Sequence, residues 1–159
     1  MGIPDLVMAL GESLQKKHYL CAVAESCTGG LIAAAITAQP GSSLWFDCGF
    51  VTYSNTSKQS LLGVSHQILN THGAVSSETV IAMAEGTLSN SKAHISVAVS
   101  GIAGPDGGST EKPVGTVWFA WAGPHTNTIS ICHHLTGTRA VIRSTCVSIA
   151  LEGLIALIK

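Results

Sequence analysis

Apolar positions recur along this chain at two alternating periods, and the alternation predicts its elements. Leu6, Leu10 and Leu14 stand at i, i+4 and i+8, so Pro4 to Lys17 reads as an amphipathic helix. Pro4 falls in its first turn, where the missing N–H has no intrahelical partner to lose. Tyr19 to Ala24 is a short apolar run suited to a buried strand. Thr28-Gly29-Gly30 opens an alanine-rich helix, Leu31 to Ala38, which Pro40-Gly41 closes. Trp45 to Tyr53 is aromatic and β-rich and predicts a second strand. Asn55 to Leu62 predicts a helix stopped by Gly63, and Ser77 to Ser89 a longer one capped by Ser76 or Ser77. Ile95 to Ser100, Val114 to Ala122 and Thr128 to His134 predict further strands, and Thr138 to Ile158 a terminal helix. Helices interspersed with strands cover both faces of one sheet. The turn at Pro124-His125 is too short for a crossover, so its two strands are antiparallel. The expectation is an α/β fold, a three-layer α/β/α sandwich with a mixed central sheet of about five strands, forming one domain over residues 1–159.

Composition narrows the classes of function. Charged residues make up 11% of the chain and hydrophobic residues 46%, with a net charge of −1, against roughly 25% charged in an average domain. So few charges cover an isolated sphere poorly, and a homo-oligomer is expected. No Lys/Arg run supplies the basic patch that nucleic acid requires. The five cysteines (Cys21, Cys27, Cys48, Cys132, Cys146) are odd in number and contain no C-x-x-C pair. That excludes a disulfide framework or zinc ribbon and fits a reducing cytoplasm. Asp5 and Glu12 rule out a signal peptide, and no apolar run reaches the ~18 residues a bilayer span needs. A cytoplasmic protein without a membrane partner is expected.

The candidate chemistry is scattered. Gly101, Gly104, Gly107 and Gly108 follow an apolar run at a density that turns several N–H groups toward one point, as in anion-binding loops, or simply makes a crossover. The loop fits neither G-x-G-x-x-G nor G-x-x-x-x-G-K-[ST]. Glu25-Ser26-Cys27-Thr28-Gly29-Gly30 lies where a strand meets a helix, so its N–H groups suit an anion, or Ser26 or Thr28 is a plain cap. Aromatic residues cluster at Trp45 to Tyr53 and Trp118 to Trp121, as core or as walls of a slot for a flat cationic ring. Lys58 is the only Lys or Arg between Lys17 and Lys92; on the surface it is solvated, and in a dry pocket it would activate a serine. Arg139 and Arg143 stand at i, i+4, as a phosphate pincer or as partners of acids at a subunit interface. His133 and His134 are adjacent on a strand and point to opposite faces, and no histidine pattern suggests a metal.

Taken in order, Ala24 to Gly30, Gly41-Ser42-Ser43, Gly49 to Asn55, Lys58, His72 to Ser76, Ser100 to Pro105, Lys112 to Val117 and Gly137-Thr138-Arg139 closely resemble the CinA C-terminal family. The resemblance implies an anticodon-binding-domain-like α/β/α fold and nicotinamide-nucleotide amidohydrolase activity, in which nicotinamide mononucleotide and water give nicotinate mononucleotide and ammonia. It implies no cofactor and no metal, and a stand-alone form without the molybdopterin-binding-like domain that many members carry. The family's functional set maps onto Ser26, Ser43, Tyr53, Lys58, Ser100 and Arg139. Ser43 is then the expected nucleophile with Ser26 its rival, Lys58 the base and Tyr53 a relay or positioning group. Thr28, Gly29, Gly30, Ser100, Gly101, Gly104 and Arg139 are the expected substrate-binding residues. Thr138 stands where the family often has Asp, and Ser100 where many members have Thr. A catalytically silent nucleotide-binding domain is the alternative reading.

Overall fold

The computed structural model describes all residues, Met1–Lys159. In chain order the elements are α1 (Ile3–Lys17), β1 (Cys21–Glu25), α2 (Leu31–Thr37), a 3-10 turn (Ser42–Leu44), β2 (Phe46–Val51), α3 (Asn55–Leu62), α4 (His66–His72), α5 (Ser77–Ser89), β3 (Ile95–Gly101), β4 (Thr116–Ala122), β5 (Ile129–His134) and α6 (Arg139–Ile158). The expected elements are all present within a few residues of their expected ends. Helix α4 was not expected: it spans seven residues and buries only Leu69, too little for a periodic pattern. It forms because the Ser65 hydroxyl accepts the Ile68 N–H at 3.1 Å, which caps it.

The five strands lie in the order β2-β1-β3-β4-β5. β1 is parallel to β2 and to β3, whereas β3–β4 and β4–β5 are antiparallel. The two faces of the sheet carry different side chains. Val23, Val97, Val99, Val117 and Phe119 project into a core shared with α1, α2 and α6. On the other face stand Ala24, Ala98, Ala120 and Ala122, against Val80, Met83 and Ala84 of α5. Small residues let α5 lie close enough for the Ser96 hydroxyl to donate to Ala84 O at 2.7 Å.

Helix α6 is long and apolar enough to cross a membrane by length and composition, contrary to expectation. Here Ile142, Cys146, Ala150, Leu151 and Leu154 are instead buried in the core. The aromatic clusters resolve mostly as core. Trp45 is 2% exposed and packs over Gly11, where a Cβ would stand 2.8 Å from its indole. Phe119 is buried, and Trp121 donates its indole N–H to Ala150 O at 3.1 Å.

This topology creates one crevice. From β1 the chain enters α2 on one face, and from β2 it enters α3 on the other, so the carboxyl ends of β1, β2 and β3 frame a gap between departing segments. Ser26, Thr52-Tyr53 and Ser100-Gly101 lie at those ends.

Candidate active site

Ser26 is the first residue beyond β1, and its N–H donates to Val99 O of β3 at 3.0 Å, which fixes the bend on which it sits. The residue before it holds the next helix. The Glu25 carboxylate is 1% exposed and accepts the N–H groups of Gly30 at 3.2 Å, Ile32 at 2.9 Å and Ala33 at 3.0 Å. An anion at a helix N-terminus is favourable, and here the chain supplies its own.

Lys58 comes from α3, whose start is fixed by Ser54 accepting the Ser57 N–H at 3.1 Å. Its side chain is 1% exposed. Nζ donates to Thr52 O at 2.8 Å and Tyr53 O at 3.3 Å, and lies 3.1 Å from Ser26 Oγ. The only ion pair in the chain joins His72 to Glu78, so Lys58 has no carboxylate partner. Burial therefore pushes its pKa below the ordinary lysine value, opposed in part by Cys27. The Cys27 thiol is itself held low by a hydrogen bond with Cys146, against burial, with a smaller contribution from the Arg143 charge.

Around this pair lies a cleft of about 270 Å³, lined by Ser26, Lys58, Tyr53, Ser100, Gly101, Gly104, Asp106 and Arg139 among others. Arg139, in the first turn of α6, donates to Gly104 O at 2.8 Å and to the Tyr53 hydroxyl at 3.4 Å. It thereby joins the glycine loop to the far wall. No group of three or more His, Cys, Asp or Glu side chains converges anywhere in the fold.

The cleft brings together most of the residues singled out in the sequence, with several corrections. Ser43 is exposed on the 3-10 turn before β2. It stands at the amino end of a six-residue strand whose carboxyl end leads to Lys58, roughly 20 Å away at ~3.3 Å per residue. Lys58 therefore meets Ser26 and not Ser43. The α2 N-terminus is not open to a substrate anion, because Glu25 occupies it. Thr28 caps nothing: its hydroxyl is buried without a partner, and Thr28, Gly29 and Gly30 are absent from the cleft wall. Tyr53 touches Lys58 through its carbonyl, while its phenol meets Arg139, so it is no relay between Lys58 and Ser26. Arg143 does not form a pincer with Arg139; it donates to Cys27 O at 3.1 Å and Thr28 O at 3.2 Å, bracing the bend from behind. Thr138 is the α6 cap, accepting the Val141 N–H at 3.2 Å, a task Asp performs equally well. Sequence reasoning missed Glu25, whose signal was an acid just before a glycine-opened helix, and Asp106, whose signal was an acid inside the glycine loop.

Known proteins resemble this chain over nearly its whole length. A family model described as the CinA C-terminal domain matches residues 4–158. The chain is 50% identical to a nicotinamide-nucleotide amidohydrolase PncC of Pseudomonas putida, over 98% of this chain and 96% of that protein. It is 47% identical to the protein of the same name from Escherichia coli K12, over 91% and 88% of the two chains. Among solved structures it resembles the competence/damage inducible protein CihA from Agrobacterium tumefaciens, with a TM-score of 0.96 at 45% identity, over 99% of this chain and 96% of that one.

Proposed function

The chain belongs to the CinA C-terminal domain family, and from that premise we propose that it is a nicotinamide-nucleotide amidohydrolase, which converts nicotinamide mononucleotide and water to nicotinate mononucleotide and ammonia. The observation that carries this reading is the contact of Lys58 Nζ with Ser26 Oγ in a cleft. A neutral lysine amine has two N–H bonds and one lone pair. Thr52 O and Tyr53 O accept the two N–H bonds, which leaves the lone pair for the Ser26 hydroxyl proton.

Ser26 Oγ attacks the carboxamide carbon as Lys58 takes its proton. The C–N bond then breaks, the proton passes from Lys58 to the departing nitrogen, and ammonia leaves a nicotinoyl ester on Ser26. Water attacks that ester with Lys58 again as base, releasing the nicotinate nucleotide and restoring the Ser26 hydroxyl. The Ser100 hydroxyl and the N–H groups of Ala103 and Gly104 are the donors available to the oxyanion. Arg139 is the cation available to the phosphate.

The same reading takes residues 1–159 as one catalytic unit, working in the cytoplasm as a homo-oligomer. A groove of about 600 Å³ beside Ile129, Ile131 and Leu157 is the apolar surface a second copy would cover, and sedimentation at micromolar concentration tests this. The activity is tested by incubating the purified protein with nicotinamide mononucleotide and measuring ammonia and nicotinate mononucleotide. Absence of both products favours the catalytically silent nucleotide-binding domain instead.

A further inference from the structure

Three residues of formal charge line the cleft: Lys58, Arg139 and Asp106. Lys58 is committed to Ser26 and two carbonyls. Arg139 is bound to a carbonyl and a phenol. Asp106, two residues beyond the Gly104 carbonyl that Arg139 holds, has no cation within ion-pair distance, since the only pair in the chain is His72–Glu78. A carboxylate and a guanidinium thus share a 270 Å³ cleft without neutralising each other. The loop that carries Asp106 is clamped at its root, with Ile102 N donating to Thr116 O at 2.9 Å and Gly115 N to Ile102 O at 2.7 Å.

Two separated opposite charges complement a zwitterion. The substrate of the reaction proposed above is one, with a cationic pyridinium ring and an anionic phosphate. The aromatic wall that would otherwise greet a cationic ring is not there: Trp45 and Phe119 are buried in the core, and Tyr53 is the one aromatic side chain at the cleft. Recognition of the ring's charge therefore falls to a carboxylate in place of π faces.

Resting on the amidohydrolase reading, we propose that Asp106 is a specificity-determining residue that senses the pyridinium charge, so that the enzyme selects oxidised over reduced nicotinamide nucleotides. The 1,4-dihydro form carries the same carboxamide, ribose and phosphate on a neutral ring with one more hydrogen at C4, whose nitrogen lone pair also makes the carboxamide less electrophilic. The change in that selection between wild type and an Asp106 variant isolates the interaction with Asp106, because the intrinsic reactivity difference is common to both proteins.

The experiment measures ammonia release from nicotinamide mononucleotide and from its 1,4-dihydro form by wild type, Asp106→Asn and Asp106→Glu, with thermal unfolding as the check on folding. Wild type should favour the oxidised form by roughly tenfold or more in kcat/KM, the scale of one charge pair in a partly screened cleft. Asp106→Asn should raise KM for the oxidised form alone, hold kcat within about twofold, and lower the preference by the factor that KM rises; Asp106→Glu should restore part of it. Equal losses on both substrates would assign Asp106 to the ribose or to the loop and overturn the proposal, as would an unchanged preference. If Asp106→Asn does not fold, a wild type without preference between the two substrates overturns it on its own. If wild type releases no ammonia from either, the amidohydrolase reading fails. Calorimetric binding of the two nucleotides to wild type and Asp106→Asn then decides the charge reading separately, equal affinities in wild type counting against it.

Discussion

Lys58 Nζ lies 3.1 Å from Ser26 Oγ, and no carboxylate stands within ion-pair distance of that amine. A buried ammonium without a counter-ion is costly, so the surroundings favour the neutral amine. The carbonyls of Thr52 and Tyr53 orient that amine without supplying a full negative charge to hold it protonated. The arrangement suits a neutral amine facing the Ser26 hydroxyl, a neighbour that Ser43 does not have.

Ser26→Ala is expected to lower kcat by about 10³-fold or more, leaving what positioning and the oxyanion donors supply. Ser43→Ala should stay within about twofold of wild type, because Ser43 stands at the other end of β2. Steady-state ammonia release checks both, and peptide mass spectrometry of a trapped acyl-enzyme locates the ester. An adduct on Ser43 would reverse the assignment.

Lys58→Met should reduce kcat by about 10²–10⁴-fold. In wild type, kcat should rise with pH along a limb whose midpoint lies below 10.5, since burial lowers the Lys58 pKa from that value. Activity is present above the folded-state pKa and lost as pH falls through it. Stability follows the same sign: the unfolded chain binds the lysine proton more tightly, so stability rises with pH between the folded and unfolded pKa values. A pH–rate profile and unfolding curves across that window test both, and Lys58→Met should lack the stability rise.

Arg139→Ala should weaken binding of nicotinamide mononucleotide by about 10–100-fold, the scale of a charge-assisted hydrogen bond of roughly 1.5–3 kcal/mol. Nicotinamide riboside, which has no phosphate, should lose no more than about threefold on the same scale. Calorimetry with both ligands decides. Equal losses would remove Arg139 from phosphate recognition.

Glu25→Gln keeps the size of the side chain but replaces one carboxylate oxygen by an amide N–H₂, which faces the Ala33 N–H when the remaining oxygen keeps those of Gly30 and Ile32. Each N–H left without an acceptor costs roughly 1–3 kcal/mol, so Tm should fall by about 5 °C or more. Because Glu25 adjoins Ser26, kcat should fall as well in protein that remains folded. An unchanged Tm would mean that the carboxylate is dispensable to the helix.

The sequence by itself determined the local elements other than α4. α3 runs from Asn55 to Leu62 and stops at Gly63 as read, because the Ser54 cap and a glycine at φ 70° act within one turn. The spacing of Leu6, Leu10 and Leu14 fixed α1 for the same reason, since each buried leucine needs only its neighbours on the helix face. The family motifs also named Ser26, Ser43, Tyr53, Lys58, Ser100 and Arg139 as a set. Tertiary structure decided which members of that set touch. Ser43 is nearer to Lys58 in sequence than Ser26 is, but β2 stands between them, and a strand separates what it connects. Ser26 meets Lys58 because β1 and β2 are parallel neighbours, which brings their carboxyl ends together. Likewise the anion that the α2 N-terminus takes proved to be Glu25, a choice set by how β1 turns into the helix. Strand pairing over long separations depends on the burial of whole faces, and no local pattern of residues encodes it.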